Sequence, residues 1–260
     1  MIDVYILTIK AINSAENIAL KKMLQEFGGF SVHFINGITG ETITANEYYR
    51  LIKNYIKNTG VFVTPSEAAC SIGHKFALEA LIKSGKNRAV ILEDDVILCS
   101  SSLNKLRNVF YFESKGSSII HLGGIDGIED AFRGLRGLLV SKEPEIYLLD
   151  NDSLGSLWRT VAYLIDRNCA LNLVNFIRDN IFIADDYCYM VKNNLVEKIY
   201  FSNVVKHPVV LQNSGIEAER NTKPIFYSRI SLFSRIKNKI KYLHDYRLRK
   251  NYKYFLYDLV

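Results

Sequence analysis

Ala89-Val90-Ile91-Leu92-Glu93-Asp94-Asp95-Val96 sets four apolar residues directly against three acids. A short apolar run of this kind reads as a buried strand whose end emerges carrying carboxylates, and in open parallel sheets ligands bind outside those carboxyl ends. Three adjacent carboxylates repel one another. A divalent cation makes such a cluster tolerable, and hard oxygen ligands suit Mg²⁺ or Mn²⁺, which also bridge the phosphates of a nucleotide. Taken alone, the triplet fits an acidic strand exit with helix-capping duty better than a metal site.

Outward from this strand, residues 4–8, 32–36 and 119–122 are further short apolar runs rich in β-branched residues, with helical periodicity between them. The alternation predicts an α/β fold on a βαβ sheet. Ala15–Phe27 reads as the first crossover helix, capped by Ser14 and ended by Gly28-Gly29. Thr64-Pro65-Ser66-Glu67 starts another: Thr64 caps, Pro65 takes the first helical position, and Glu67 completes a capping box, with the helix running to about Ser84-Gly85. Residues 154–165 are expected to add a strand and 168–177 a helix. With no repeat and no linker, residues 1–228 read as one catalytic domain and 229–260 as a separate tail.

A chain of 260 residues is long enough for a sizeable core. Its 48% hydrophobic content, with only 15 Gly and 4 Pro, excludes disordered, collagenous and low-complexity classes. Cys70, Cys99, Cys169 and Cys188 form no C-x-x-C pair and no Cys/His cluster at zinc spacing, so they are expected to be buried thiols in a reducing compartment. Met1-Ile2-Asp3 runs straight into an apolar strand without the features of a signal peptide. No apolar run reaches the ~20 residues of a membrane-spanning helix.

The net charge of +6 suggests nucleic acid until it is located. Residues 229–260 hold nine Lys/Arg against two acids, a net of +7, which leaves −1 for the preceding 228. Ile230, Phe233, Ile236, Ile240 and Leu243 recur every three or four residues among those cations, interleaved with Tyr242, Tyr246, Tyr252 and Tyr254. That predicts a basic amphipathic helix with an aromatic rim. It suits an anionic membrane surface, where each Lys or Arg is worth ~1 kcal/mol, or docking of its apolar stripe on the domain. No recognition motif accompanies the charge, so nucleic acid is not the expected partner.

Together with its neighbours, the acidic strand resembles glycosyltransferase family 25, the bacterial lipooligosaccharide galactosyltransferases and their relatives. The features stand in the family's order: Val4-Tyr5-Ile6-Leu7, Phe34-Ile35-Asn36-Gly37, Thr64-Pro65-Ser66-Glu67-Ala68-Ala69-Cys70-Ser71-Ile72-Gly73-His74, then the acidic strand. Ile120-His121-Leu122-Gly123-Gly124, Thr160-Val161-Ala162-Tyr163-Leu164-Ile165, Ile183-Ala184-Asp185-Asp186-Tyr187 and Pro208-Val209-Val210-Leu211-Gln212 follow, with Ser214 and Ile216. The resemblance spans roughly residues 3–216 and leaves out the tail.

The resemblance implies a GT-A type, Rossmann-like nucleotide-sugar domain and a metal-dependent, inverting transfer from a UDP-hexose, galactose before glucose. The acceptor would be a lipid-linked lipooligosaccharide or lipopolysaccharide saccharide. It implies Mn²⁺ or Mg²⁺ at the triplet, with Asp95 as ligand, Glu93 or Asp94 on the ribose or sharing the metal, and His207 as a further ligand. One of Asp185 and Asp186, with Asp186 preferred, would take the acceptor hydroxyl's proton, although the pair also fits an acidic helix start. Glu67 and His74 share a helix face with Cys70 and Ser71 and would meet donor or acceptor hydroxyls. Thr8, Asn36 and Gly37 would meet the donor at the ends of the first two strands, the latter two at its uridine, and Gln212 and Ser214 its diphosphate or sugar. Such an enzyme would work in the cytoplasm, peripheral on the inner face of the cytoplasmic membrane.

Two departures from the family pattern stand out. Asn13-Ser14-Ala15-Glu16-Asn17 lacks an arginine that relatives carry there, and Val161 stands where many have histidine. Lys10 and Arg159 are candidates to replace the missing charge, although spacing alone does not show it. Two carboxylate groups would also serve a glycoside hydrolase, which needs neither metal nor nucleotide. A non-catalytic UDP-sugar or saccharide binding protein is a further alternative.

Overall fold

A computed structural model of the protein describes residues 1–132, 134–178 and 180–209, together with Ile216 and Glu219. Gln212, Ser214 and the basic helix expected in the tail lie outside the described residues. The described elements run β1 (Ile2–Thr8), α1 (Ala15–Phe27), β2 (Phe30–Asn36), α2 (Ala45–Thr59), α3 (Pro65–Ser84), β3 (Arg88–Glu93) and α4 (Ser100–Phe110). They continue through β4 (Ser118–Gly123), β5 (Gly137–Lys142), β6 (Glu145–Leu149), β7 (Ala162–Asp166), α5 (Arg167–Ile177), α6 (Tyr187–Lys192) and β8 (Lys198–Val205). Among them no helix is long and apolar enough to cross a membrane.

The strands make one eight-stranded sheet in the order β2-β1-β3-β7-β4-β8-β6-β5. Alternate strand residues face opposite sides, so each side takes its own layer of helices. Val4, Ile6, Val90, Leu92, Ile120 and Leu164 pack with Leu20 and Leu24 of α1 and Leu103, Leu106 and Val109 of α4. Tyr5, Ile91, Ile119, Tyr163 and Phe201 pack on the other side with α2, α3, α5 and α6. Val90, Ile91 and Leu92 are fully buried because both faces of β3 are covered.

Parallel pairing of β1 with β2 and β3 sets Thr8 opposite Asn36 and Leu7 opposite Glu93, so three carboxyl ends lie level. The expected parallel sheet is nevertheless mixed: β7 runs antiparallel between β3 and β4, pairing Leu92 with Ala162 and His121 with Tyr163. The start of β7 therefore meets the end of β3. β8, parallel to β4, leads on to His207 at this same edge.

Helix ends follow the chain's own chemistry. Ser14 Oγ accepts from the Asn17 N–H at the start of α1 (3.3 Å). At α3 the box is complete and buried, with Thr64 Oγ1 accepting from the Glu67 N–H (3.2 Å) and Glu67 Oε2 from the Thr64 N–H (2.7 Å). Thr64→Ala removes one half, and is expected to lower stability by about 1–2 kcal/mol. A denaturant midpoint that falls at unchanged slope checks this, and an unshifted midpoint contradicts it.

Two further expectations need correction. The strand expected over 154–165 occupies only Ala162–Asp166, because a 3-10 turn takes Asn151–Ser156. There Asp150 Oδ1 accepts from the Asp152 N–H (3.1 Å) and Ser153 Oγ donates to the Asp150 carbonyl (2.7 Å), local bonds that compete with extended pairing. Arg159, at φ 68°, then turns the chain out of the extended region. The cysteines are not uniformly buried either. Cys169 is buried, Cys70 and Cys188 are half-buried, and Cys99 is exposed just before α4. The hydroxyls of Ser101 and Ser102 contact the Cys99 sulfur at 3.0 and 3.3 Å and push its thiol down to about 6.

Candidate functional site

The three acids leaving β3 each meet a different partner. Asp94 Oδ2 accepts from Thr8 Oγ1 (2.5 Å), and Lys10 Nζ lies 3.7 Å from Asp94 Oδ1. Thr8 Oγ1 is held in turn by Asn17 Nδ2 (3.2 Å) and the Lys10 N–H (3.0 Å). Burial pushes the Asp94 carboxyl up, against the opposing pull of the Thr8 hydrogen bond and Lys10. Lys10 thus brings a cation to the triplet, where the sequence lacked the family's arginine.

Asp95 Oδ2 lies 3.1 Å from His207 Nε2, and Asp95 Oδ1 is buried with no hydrogen-bond partner among the described residues. Burial raises this carboxyl, but the hydrogen bond and charge of His207 outweigh it and leave it below the usual range. The other ring nitrogen of His207 is 2.9 Å from the Pro208 carbonyl. Both neighbours of the ring are acceptors, so a doubly protonated ring donates to each, and loss of the Nε2 proton, with Nδ1–H still donating to Pro208, turns the Nε2 lone pair toward Asp95. Two such lone-pair groups facing each other, with an orphaned buried oxygen beside them, suit a divalent cation. The expected Mn²⁺ or Mg²⁺ therefore fits Asp95 and His207.

Glu93 Oε1 receives Thr160 Oγ1 and lies beside His74 Nε2, both at 3.3 Å, while His74 Nδ1 is 3.1 Å from the Tyr163 hydroxyl. A cavity of about 30 Å³ opens beside His74, Thr160, Tyr163 and Tyr187, room for a water or two and far too small for a sugar ring.

Thr160 also leads to the second acidic pair. The N–H of its neighbour Arg159 donates to Asp185 Oδ2 (3.0 Å). The Arg159 guanidinium donates to the Gly124 and Asp126 carbonyls, both at 2.9 Å, and Asp126 Oδ2 accepts from the His207 N–H at the same distance. Carboxylates about 90 residues apart in the chain thus sit on one hydrogen-bonded edge. Asp186 caps α6, its Oδ1 accepting from the Tyr189 N–H (2.9 Å) and its Oδ2 from the Tyr55 hydroxyl (2.6 Å). Of the two readings of this pair, the helix start describes Asp186 and the site edge Asp185.

Asn36 and Gly37 lie level with Thr8, and the Gly37 N–H donates to the Thr8 carbonyl (2.8 Å). Glu67 is buried in the capping box, and Ser71 Oγ donates to the Phe182 carbonyl (2.6 Å), so both serve the fold where they stand. Sequence reading missed Asn17, Asp126 and Thr160. Asn17 stood inside the motif after the first strand, and Asp126 two residues beyond the Gly123-Gly124 pair, but neither had a spacing that pointed to the acids.

An α/β domain that gathers its carboxylates at one sheet edge fits nucleotide-sugar chemistry. Residues 1–128, just under half of the chain, match the family model of glycosyltransferase family 25 (LPS biosynthesis protein). The acidic triplet lies inside the matched segment, and the second acidic pair and His207 lie beyond it. No curated protein matches the chain. A solved structure with partial similarity is mannose-1-phosphate geranyltransferase from Thermus thermophilus, 10% identical with a TM-score of 0.32. The match covers 52% of this chain and 50% of that one, so this chain spans half the length of that relative.

Proposed function

We propose that the protein moves a hexose, galactose before glucose, from a UDP-sugar to a hydroxyl of a lipooligosaccharide or lipopolysaccharide saccharide, with inversion and with a divalent cation. Its main support is the Asp95–His207 pair, with the buried, orphaned Asp95 oxygen at the carboxyl end of β3. Asp95 and His207, with Glu93 adjacent, would hold Mn²⁺ or Mg²⁺, which when bound supplies Lewis-acid neutralisation of the departing diphosphate.

The chain's own groups do the rest. Thr8, Asn36 and Gly37 offer polar contacts to the nucleoside at the level strand ends, Asp94 addresses the ribose, and Lys10 adds positive charge near the diphosphate. The acceptor oxygen attacks the anomeric carbon on the side opposite the diphosphate. The bond from that carbon to the phosphate oxygen breaks, UDP leaves, and a carboxylate takes the acceptor's proton. Asp185 takes that role in preference to Asp186, whose two oxygens are held by the helix cap and Tyr55. The basic tail would keep the enzyme on the inner face of the cytoplasmic membrane, beside its lipid-linked acceptor.

UDP release from a panel of UDP-sugars, with Mn²⁺, with Mg²⁺ and with chelator, tests this reading. One UDP-hexose is expected to turn over with a cation and none with chelator. Turnover indifferent to cation, or no binding of UDP, overturns it.

A further inference from the structure

We infer that Cys70, His74 and Glu93 form a site for a borderline-soft divalent cation of the zinc type, distinct from the hard-cation position at Asp95. Cys70 and His74 stand one turn apart on α3, so both side chains reach the same neighbour, the end of β3. One ligand atom from each of the three residues lies within 4.8 Å of the other two. The tightest pair, His74 Nε2 and Glu93 Oε1, is 3.3 Å apart. Zinc bonds of about 2.0–2.2 Å to nitrogen and oxygen place two such ligands about 3.3–3.5 Å apart at the tetrahedral angle. The pair is already at that spacing.

The donor set decides the metal. The Cys70 thiolate is the discriminating donor: beside an imidazole and one carboxylate it selects Zn²⁺ over the harder Mg²⁺ or Mn²⁺. Outer contacts suit ligation as well: the Tyr163 hydroxyl oxygen can accept a hydrogen bond from His74 Nδ1–H and leave the Nε2 lone pair for the metal, and Thr160 Oγ1 orients Glu93. Bound there, the ion would tie α3 to the end of β3 and withdraw Glu93 from the hard-cation site. This inference does not depend on sugar transfer, because metal binding is read directly.

Cobalt titration of the full-length protein tests it. Thiolate ligation gives Co²⁺ a strong near-ultraviolet charge-transfer band, expected at one equivalent per chain and resistant to excess Mg²⁺. Cys70→Ser should abolish the band and weaken Zn²⁺ binding by more than about 100-fold, beyond the ~10–100-fold of outer-contact changes. His207→Ala, at the neighbouring site, should keep both. No band in the wild-type protein, or a band retained in Cys70→Ser and so owed to another cysteine, overturns the proposal. So does a band lost in His207→Ala alone.

Discussion

Asp95→Asn is expected to lower turnover about 1000-fold while the protein still folds and melts only slightly below the wild-type temperature. The substitution keeps the side chain's shape and leaves an amide oxygen where Asp95 Oδ2 meets His207 Nε2. It removes a buried negative charge. An unpartnered buried polar atom costs about 1–3 kcal/mol, so neutralising Asp95 relieves part of that cost and offsets the lost attraction of His207, and the free protein loses little. The reaction loses more. Removing one preorganised electrostatic partner of a transition state costs about 10²–10³ in rate, and the loss of a cation ligand adds to it. Initial rates with the preferred UDP-sugar and a thermal melt on the same preparation check both halves. A rate within tenfold of wild type removes Asp95 from the mechanism, and a rate lost together with the fold would mean only that the site is structural.

Much of this edge was legible in the sequence, for reasons that also explain what was not. Four apolar residues running into three acids can hardly be anything but a covered strand that breaks surface at its end, and β3 is that strand. The caps at Ser14 and Thr64 were equally readable, because a cap is a local bond between residues three apart. α2 carried a signal that was passed over: Thr44 before Tyr48, Leu51, Ile52 and Tyr55, buried at helical spacing. The direction of β7 had no signal. Apolar alternation reads the same from either end, so nothing in residues 162–166 distinguishes a parallel strand from the antiparallel one that puts Thr160 against Glu93. Arg159 was hidden for another reason, since its left-handed backbone comes from the bonds around it. Cys70 and His74 gave no zinc spacing because their third partner arrives from a strand, not from the helix.

His121 gives the fold a pH dependence whose direction follows from its hydrogen bonds. The ring is fully buried, stacked on Phe201 and edged by Tyr187 and Phe132. Nδ1 accepts from the Gly123 N–H (3.1 Å), so the proton is on Nε2, which faces the carbonyls of Arg159 (3.0 Å) and Trp158 (3.2 Å). A second proton would sit on Nδ1 against an N–H. Burial pushes the imidazole down to about 4, although the Arg159 and Trp158 carbonyls pull the other way. The unfolded chain takes up this proton near 6.5 and the folded one only near 4, so its share of stability is intact above about 6.5 and lost as pH falls toward 4. That interval corresponds to about 3 kcal/mol. Denaturant unfolding from pH 7.5 to 4 should show the decline in wild type. His121→Gln, which cannot titrate, should lack this part of the slope whatever its own stability. Parallel curves for the two proteins would mean that another group carries the dependence. Because Arg159 also binds Asp185 and, through Asp126, steadies His207, the same proton should loosen the candidate site before the domain unfolds.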